Sequence, residues 1–227
     1  MIEPLYILHG ALGSAHQFDA LQEALTVPSA VLTFVGHGNV ADTCDDWSVE
    51  LFSKQLEEEL QSRDSSTPVS IFGYSMGGYV AMDCALRRPD LIARIVTLGT
   101  KFDWSVEGAM REIQMLDPDM IQSKVPAFGA DLARRHGAHR WRIVLAKTAD
   151  LMTHLGAQPT LSPERCSSLT IPVRYGIGDR DQMVSVEETI PYYRSSPGAE
   201  LHVLPNTRHP IERVSLAELV RHIETFL

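Results

Sequence analysis

Six short apolar runs separated by amphipathic stretches constrain this chain more than any single residue does. Leu5 to Leu8, Ala30 to Val35, Val69 to Phe72, Ile92 to Leu98, Pro172 to Ile177 and Leu201 to Leu204 have the length and composition of strands. Helical spacing runs through Gln17 to Leu25, Val49 to Arg63 and Gly78 to Arg88, the last stopped by Pro89, and returns in Leu216 to Leu227. No helical candidate is read between the fifth and sixth runs. Strand and helix in alternation predict an α/β fold, a mostly parallel central sheet of about six strands with helices on both faces. From about Lys101 to Ser168 the alternation stops, and three helix-like stretches occupy the interval without a strand. Asp117-Pro118 reads as an N-cap with proline at the first helical position, and Trp141 to Leu155 as an amphipathic helix ending at Gly156. The expected organisation is a core domain of residues 1–100 and 169–227 carrying a helical lid insertion, 101–168.

With 227 residues, 44% apolar and 22% charged, the chain can bury one sizeable core. A net charge of −9 argues against nucleic acid and anionic membrane surfaces as partners, because both require a basic face. Cys44, Cys84 and Cys166 are odd in number and widely spaced, which suits a reduced, cytoplasmic protein and offers no zinc or redox pair. No metal or organic cofactor is expected. Met1-Ile2-Glu3-Pro4 leads directly into the first run without a basic leader, so secretion is not expected.

Chemistry enters at Gly73-Tyr74-Ser75-Met76-Gly77, followed by Gly78, where the third run gives way to a helix. A serine on so sharp a turn has its hydroxyl pushed above the sheet, and glycines on either side avoid collision with the neighbouring strand and helix. A serine hydroxyl is a weak nucleophile that needs a base, a group to orient the base, and donors for an oxyanion. His209 follows the last run, and Asp179 and Asp181 follow the fifth. Loops at the carboxyl ends of parallel strands share one rim, so these groups can meet Ser75 there.

The order Ser, Asp, His, the elbow, and the Leu8-His9-Gly10-Ala11-Leu12-Gly13 loop together resemble the α/β-hydrolase fold family over nearly the whole chain. The resemblance implies a serine-nucleophile member with Ser75, Asp181 and His209 as catalytic triad. Gly178, Asp181 and Val184 match the family's G-x-x-D-x-x-V pattern and favour Asp181 over Asp179. It also implies an oxyanion hole from the backbone N–H groups of Met76 and Ala11, with Leu12 the alternative to Ala11. His209 to Val214, running into a closing helix, is similar to the family's ending. Gly36-His37-Gly38 matches a further signature, although Thr33 and Val35 stand where Asp and Pro are usual. The two antiparallel strands that often begin the family's sheet are not expected ahead of the first run.

Other candidates have plainer readings. His202 alternates with apolar neighbours inside a strand, His9 and His37 are suited to holding loops, and Glu212 to a structural role near His209. Asp103 is the alternative acid. Trp104, Met110, Met115, Met120, Phe128 and Met152 fit either an acyl pocket or, preferably, the insertion's own core. Arg134-Arg135-His136 and His139-Arg140-Trp141-Arg142 form a basic island that either clamps an anion or, preferably, lies solvated at a helix end. The expected function is a serine hydrolase, esterase-like, cleaving a small ester, thioester or related acyl substrate through an acyl-enzyme. The alternatives are a carbon–carbon bond hydrolase or lyase acting on an anion, and a non-catalytic small-molecule receptor. Oligomeric state is not legible.

Overall fold

The computed structural model describes residues 5–227, and each of the six apolar runs holds a strand in it, the second ending at Leu32 rather than Val35. They are β1 (Leu5–Leu8), β2 (Ser29–Leu32), β3 (Val69–Tyr74), β4 (Ile92–Leu98), β5 (Val173–Gly178) and β6 (Glu200–Leu204). The expectation drawn from Met1 to Pro4 lies outside the described residues. The strands form one sheet in the order β2-β1-β3-β4-β5-β6, every pair parallel. Side chains alternate across it: Tyr6, Leu8, Ile71 and Ile95 enter one apolar cluster, while Leu5, Ile7, Phe72, Val96 and Leu98 enter the other. Both faces are therefore covered, which is why the runs read as almost continuously apolar.

The helices are α1 (Asp19–Ala24), α2 (Val49–Gln61) and α3 (Met76–Arg87), then α4 (Val106–Ile113), α5 (Pro118–Lys124), α6 (Pro126–His136), α7 (Arg140–Ala157) and α8 (Pro163–Cys166), and finally α9 (Val186–Ser195) and α10 (Leu216–Glu224). Leu21 of α1 with Leu219 and Ile223 of α10 cover one face of the sheet. Phe52 and Leu56 of α2, Val80 and Met82 of α3, and Tyr192 of α9 cover the other.

Three details depart from the sequence reading. Helix α3 begins at Met76 rather than Gly78, so Ser75 is its N-cap. Helix α7 continues through Gly156, whose lack of a side chain admits α4: a Cβ there would lie 2.6 Å from that of Ala109. The unforeseen α9 tolerates Pro191 in its interior, supported by a capping box in which Ser185 Oγ accepts from the Glu188 N–H and Glu188 Oε2 accepts from the Ser185 N–H. A parallel β5–β6 pair needs such a crossover.

Between β4 and β5 the described residues hold only helices and loops. Asp117 caps α5 as expected, its Oδ1 accepting from the Asp119 and Met120 N–H groups at 2.8 Å each. Leu132, Trp141, Val144, Leu145 and Leu155 of this helical segment join the same apolar cluster as one sheet face. The chain runs outward from β1 to β2 and then crosses back to β3 on the other side of β1. Such a reversal marks the place where open α/β sheets bind ligands, here the carboxyl ends of β1 and β3, where the His9-Gly10 loop and Ser75 follow the strands.

Candidate active site

Ser75 has φ 51° and ψ −118°, a conformation costly for a residue with a side chain. Its backbone is held by hydrogen bonds from its N–H to the Leu98 carbonyl at 2.9 Å and from Thr100 Oγ1 to its own carbonyl at 3.0 Å. A Cβ on Gly77 would overlap the Leu8 carbonyl, so the elbow closes only against glycine. Met76 is the first residue of α3, and its N–H has no intrahelical partner.

His209 and Asp181 meet across 28 residues, with Nδ1 2.7 Å from Oδ2. The Asp181 carboxylate is almost completely buried, and its other oxygen accepts from the Met183 and Val184 N–H groups at 2.8 and 3.0 Å. An acceptor on Nδ1 places the ring proton there and leaves Nε2 as the basic nitrogen. Asp179 is turned to another task, accepting from the Thr207 N–H at 3.1 Å and so shaping the loop that carries His209. Asp103 is exposed.

Ser75 and His209 are linked through their neighbours; among the described residues no direct hydrogen bond joins them. Tyr74 Oη donates to the His209 carbonyl at 2.9 Å, and the two rings lie 5.5 Å apart. Burial, with Glu212 and Asp181 nearby, pushes the Tyr74 phenol up, so it stays a donor. On the other side, Gly99 follows the Leu98 that binds the Ser75 N–H. It has φ +61°, and a Cβ built on it would lie 3.2 Å from both Asp181 Oδ2 and His209 Nδ1.

The loop after β1 is a turn closed by a hydrogen bond from Gly13 N–H to the Gly10 carbonyl at 3.1 Å, with Leu12 at φ 59°. His9 is fully buried: Nε2 accepts from the Phe34 N–H at 3.1 Å, so Nδ1 donates to the Gly10 carbonyl at 2.8 Å. His37 is also fully buried and stacks on Trp47 with centroids 4.5 Å apart. Both histidines hold loops, as their positions suggested, and desolvation keeps both neutral, His9 lowered to about 4 and His37 well below its ordinary value. His202 pairs with the buried His222, Nδ1 to Nδ1 at 2.7 Å, a structural contact away from the rim.

The basic island divides between a solvated part and an inward-facing one. Arg134 and Arg142 face outward, but Arg140 donates to the Gly36 and Val40 carbonyls at 3.0 and 2.8 Å, and Arg135 and His136 both reach the Leu12 carbonyl. Met110, Met115, Met120 and Phe128 are exposed rather than packed in a core of the insertion, while Met152 is buried and Trp104 half-buried. Tyr74, Gly99, Arg135 and His136 carry no local signal, because each meets its partner across a long stretch of chain. Among the described residues no cluster of His, Cys, Asp or Glu is arranged to hold a metal ion, and no helix is long and apolar enough to cross a membrane.

A family model described as a thioesterase domain matches residues 3–96. The chain is 25% identical over 252 residues to sn-1-specific diacylglycerol lipase ABHD11 of Mus musculus, spanning 98% of this chain and 80% of that protein. Its fold matches NosK from Streptomyces actuosus with a TM-score of 0.80 at 22% identity, covering 100% of this chain and 97% of that one. It matches a thermophilic esterase from Thermogutta terrifontis with a TM-score of 0.76 at 19% identity, covering 99% and 89% of the two chains. The six-stranded parallel sheet with these neighbours is the α/β-hydrolase fold. The chain has the α/β-hydrolase fold and is an enzyme of that fold class.

Proposed function

We propose that this enzyme is a serine hydrolase that cleaves a small ester, thioester or related acyl compound through an acyl-enzyme. Ser75 attacks the carbonyl, His209 Nε2 takes its proton and returns it to the leaving alcohol or thiol, and Asp181 holds the imidazole and stabilises its charge. The Met76 and Ala11 N–H groups receive the oxyanion. A water deprotonated by His209 then releases the acid. The observation that carries this reading is the 2.7 Å contact of His209 Nδ1 with the buried Asp181 carboxylate, at the rim where Ser75 sits in its strained turn.

Residues 101–168 act in this reading as a lid that admits substrate and excludes water. The diacylglycerol lipase and thermophilic esterase that the chain resembles favour ester substrates, and the thioesterase model keeps thioesters open. Exposed Val106, Met110, Met115, Met120, Val125 and Phe128 give the lid an apolar surface suited to acyl chains. The lyase reading required a free basic clamp, and engagement of Arg135 and Arg140 with backbone carbonyls weighs against it. The test is fluorophosphonate labelling of the native chain and of Ser75→Ala, followed by p-nitrophenyl esters from acetate to decanoate. Labelling that persists in Ser75→Ala would refute the nucleophile.

A further inference from the structure

The Leu12 carbonyl is gripped by two donors from the carboxyl end of α6, Arg135 Nη1 at 2.7 Å and His136 Nε2 at 2.9 Å. His136 Nδ1 accepts from the Gly38 N–H at 3.0 Å, so the ring is the neutral Nε2–H tautomer and donates to Leu12. The imidazole is 2% exposed and the Arg135 side chain 8%. The guanidinium is anchored on its other edge by Asp131 Oδ2 at 2.6 Å and Glu212 Oε1 at 3.2 Å, and Glu212 is itself fixed by Gln17 Nε2 at 2.7 Å. Burying a guanidinium is costly, and here it is aimed at one carbonyl of a leucine held at φ 59°.

Two rigid peptide planes carry that grip onward. The Leu12 carbonyl shares a plane with the Gly13 N–H, which donates to the Gly10 carbonyl at 3.1 Å. The Gly10 carbonyl shares the next plane with the Ala11 N–H, and His9 Nδ1 holds that carbonyl a second time at 2.8 Å. Fixing Leu12 therefore sets the direction of the Ala11 N–H, which among the described residues donates no hydrogen bond within the protein. We infer that Arg135 and His136 are positioning residues that orient the Ala11 N–H for the oxyanion, so that the seating of the helical insertion sets transition-state stabilisation. The inference rests on the acyl-transfer reading above.

The test compares Arg135→Met, Arg135→Lys, His136→Ala and His136→Gln, with solvent-facing Arg134→Met as control. Turnover of p-nitrophenyl butyrate is expressed per site titrated by fluorophosphonate, alongside the affinity of a trifluoromethyl ketone that forms a tetrahedral adduct. Arg135→Met and His136→Ala should lower kcat about 10- to 100-fold with KM within about twofold, and should weaken the ketone in proportion to kcat/KM. Lysine at 135 and glutamine at 136, which keep a donor, should recover most of the loss. If Arg135→Met does not fold, the contrast between His136→Ala and His136→Gln carries the test. A raised KM with kcat preserved, or unchanged ketone affinity in protein that labels at Ser75, overturns the inference alone. Native protein that takes up no fluorophosphonate at Ser75 overturns the acyl-transfer reading and this inference with it.

Discussion

Asp181 holds His209 by a 2.7 Å contact to Nδ1 while its second oxygen is occupied by two backbone N–H groups. A carboxylate so fixed is suited to hold one tautomer of the imidazole. Asp181→Asn should therefore lower kcat by about three to four orders of magnitude with little change in KM, as expected when the tautomer is lost. Asp103→Asn should leave turnover near native, since Asp103 is exposed. Steady-state kinetics on a p-nitrophenyl ester decides between them, and the reverse pattern would refute the assignment.

Gly99 lies against that same pair. Alanine there would need φ +61° and would press its methyl group on both Asp181 Oδ2 and His209 Nδ1. Gly99→Ala should cost about 1–3 kcal/mol of stability from the backbone alone. It should also lower kcat by more than tenfold by displacing the ring. Denaturant midpoints and turnover of the remaining folded protein separate the two effects.

Tyr74 ties the residue before the serine to the loop of the histidine. Tyr74→Phe removes the 2.9 Å bond and leaves the His209 carbonyl without that donor. A loss of about 1–2 kcal/mol is expected, with kcat reduced several-fold. An unchanged urea midpoint would show that water replaces the phenol.

Stability should fall on mild acidification. Burial lowers His222 to about 3, and His9 and His136 to about 4, so the folded protein keeps all three neutral while the unfolded chain protonates them near pH 6.5. The unfolded state then binds more protons, and their contribution, complete above pH 6.5, is lost progressively from about 6.5 down to about 4 for His9 and His136 and to about 3 for His222. Each group contributes a slope of up to about 1.4 kcal/mol per pH unit. Urea titrations at pH 7.5, 6 and 5 test this, and a midpoint that stays constant across them would contradict it.

How far the sequence could be read follows the range of each signal. Strand runs, the Asp117 cap and the turn at Ser75 depend on residues a few positions apart, so they were legible. Helix α9 was missed because Pro191 interrupts its pattern, although Ser185 and Glu188 form a capping box that marks its start. Met110, Met115, Met120 and Phe128 were misread because apolar side chains at helical spacing say which face they share and not what covers it.

By itself the sequence determined the alternation of strand and helix, the parallel sheet that follows, and the chain order of Ser75, Asp181 and His209 along one rim. Periodicity and turn chemistry are local, and parallel connectivity carries every strand end to the same edge. Only the tertiary structure decided that Asp179 serves the Thr207 loop, that Tyr74 and Gly99 flank the histidine, and that Arg135 and His136 turn inward onto Leu12. Those contacts join residues up to 135 positions apart. Which distant donor meets which carbonyl is set by how the layers pack, and no local pattern records it.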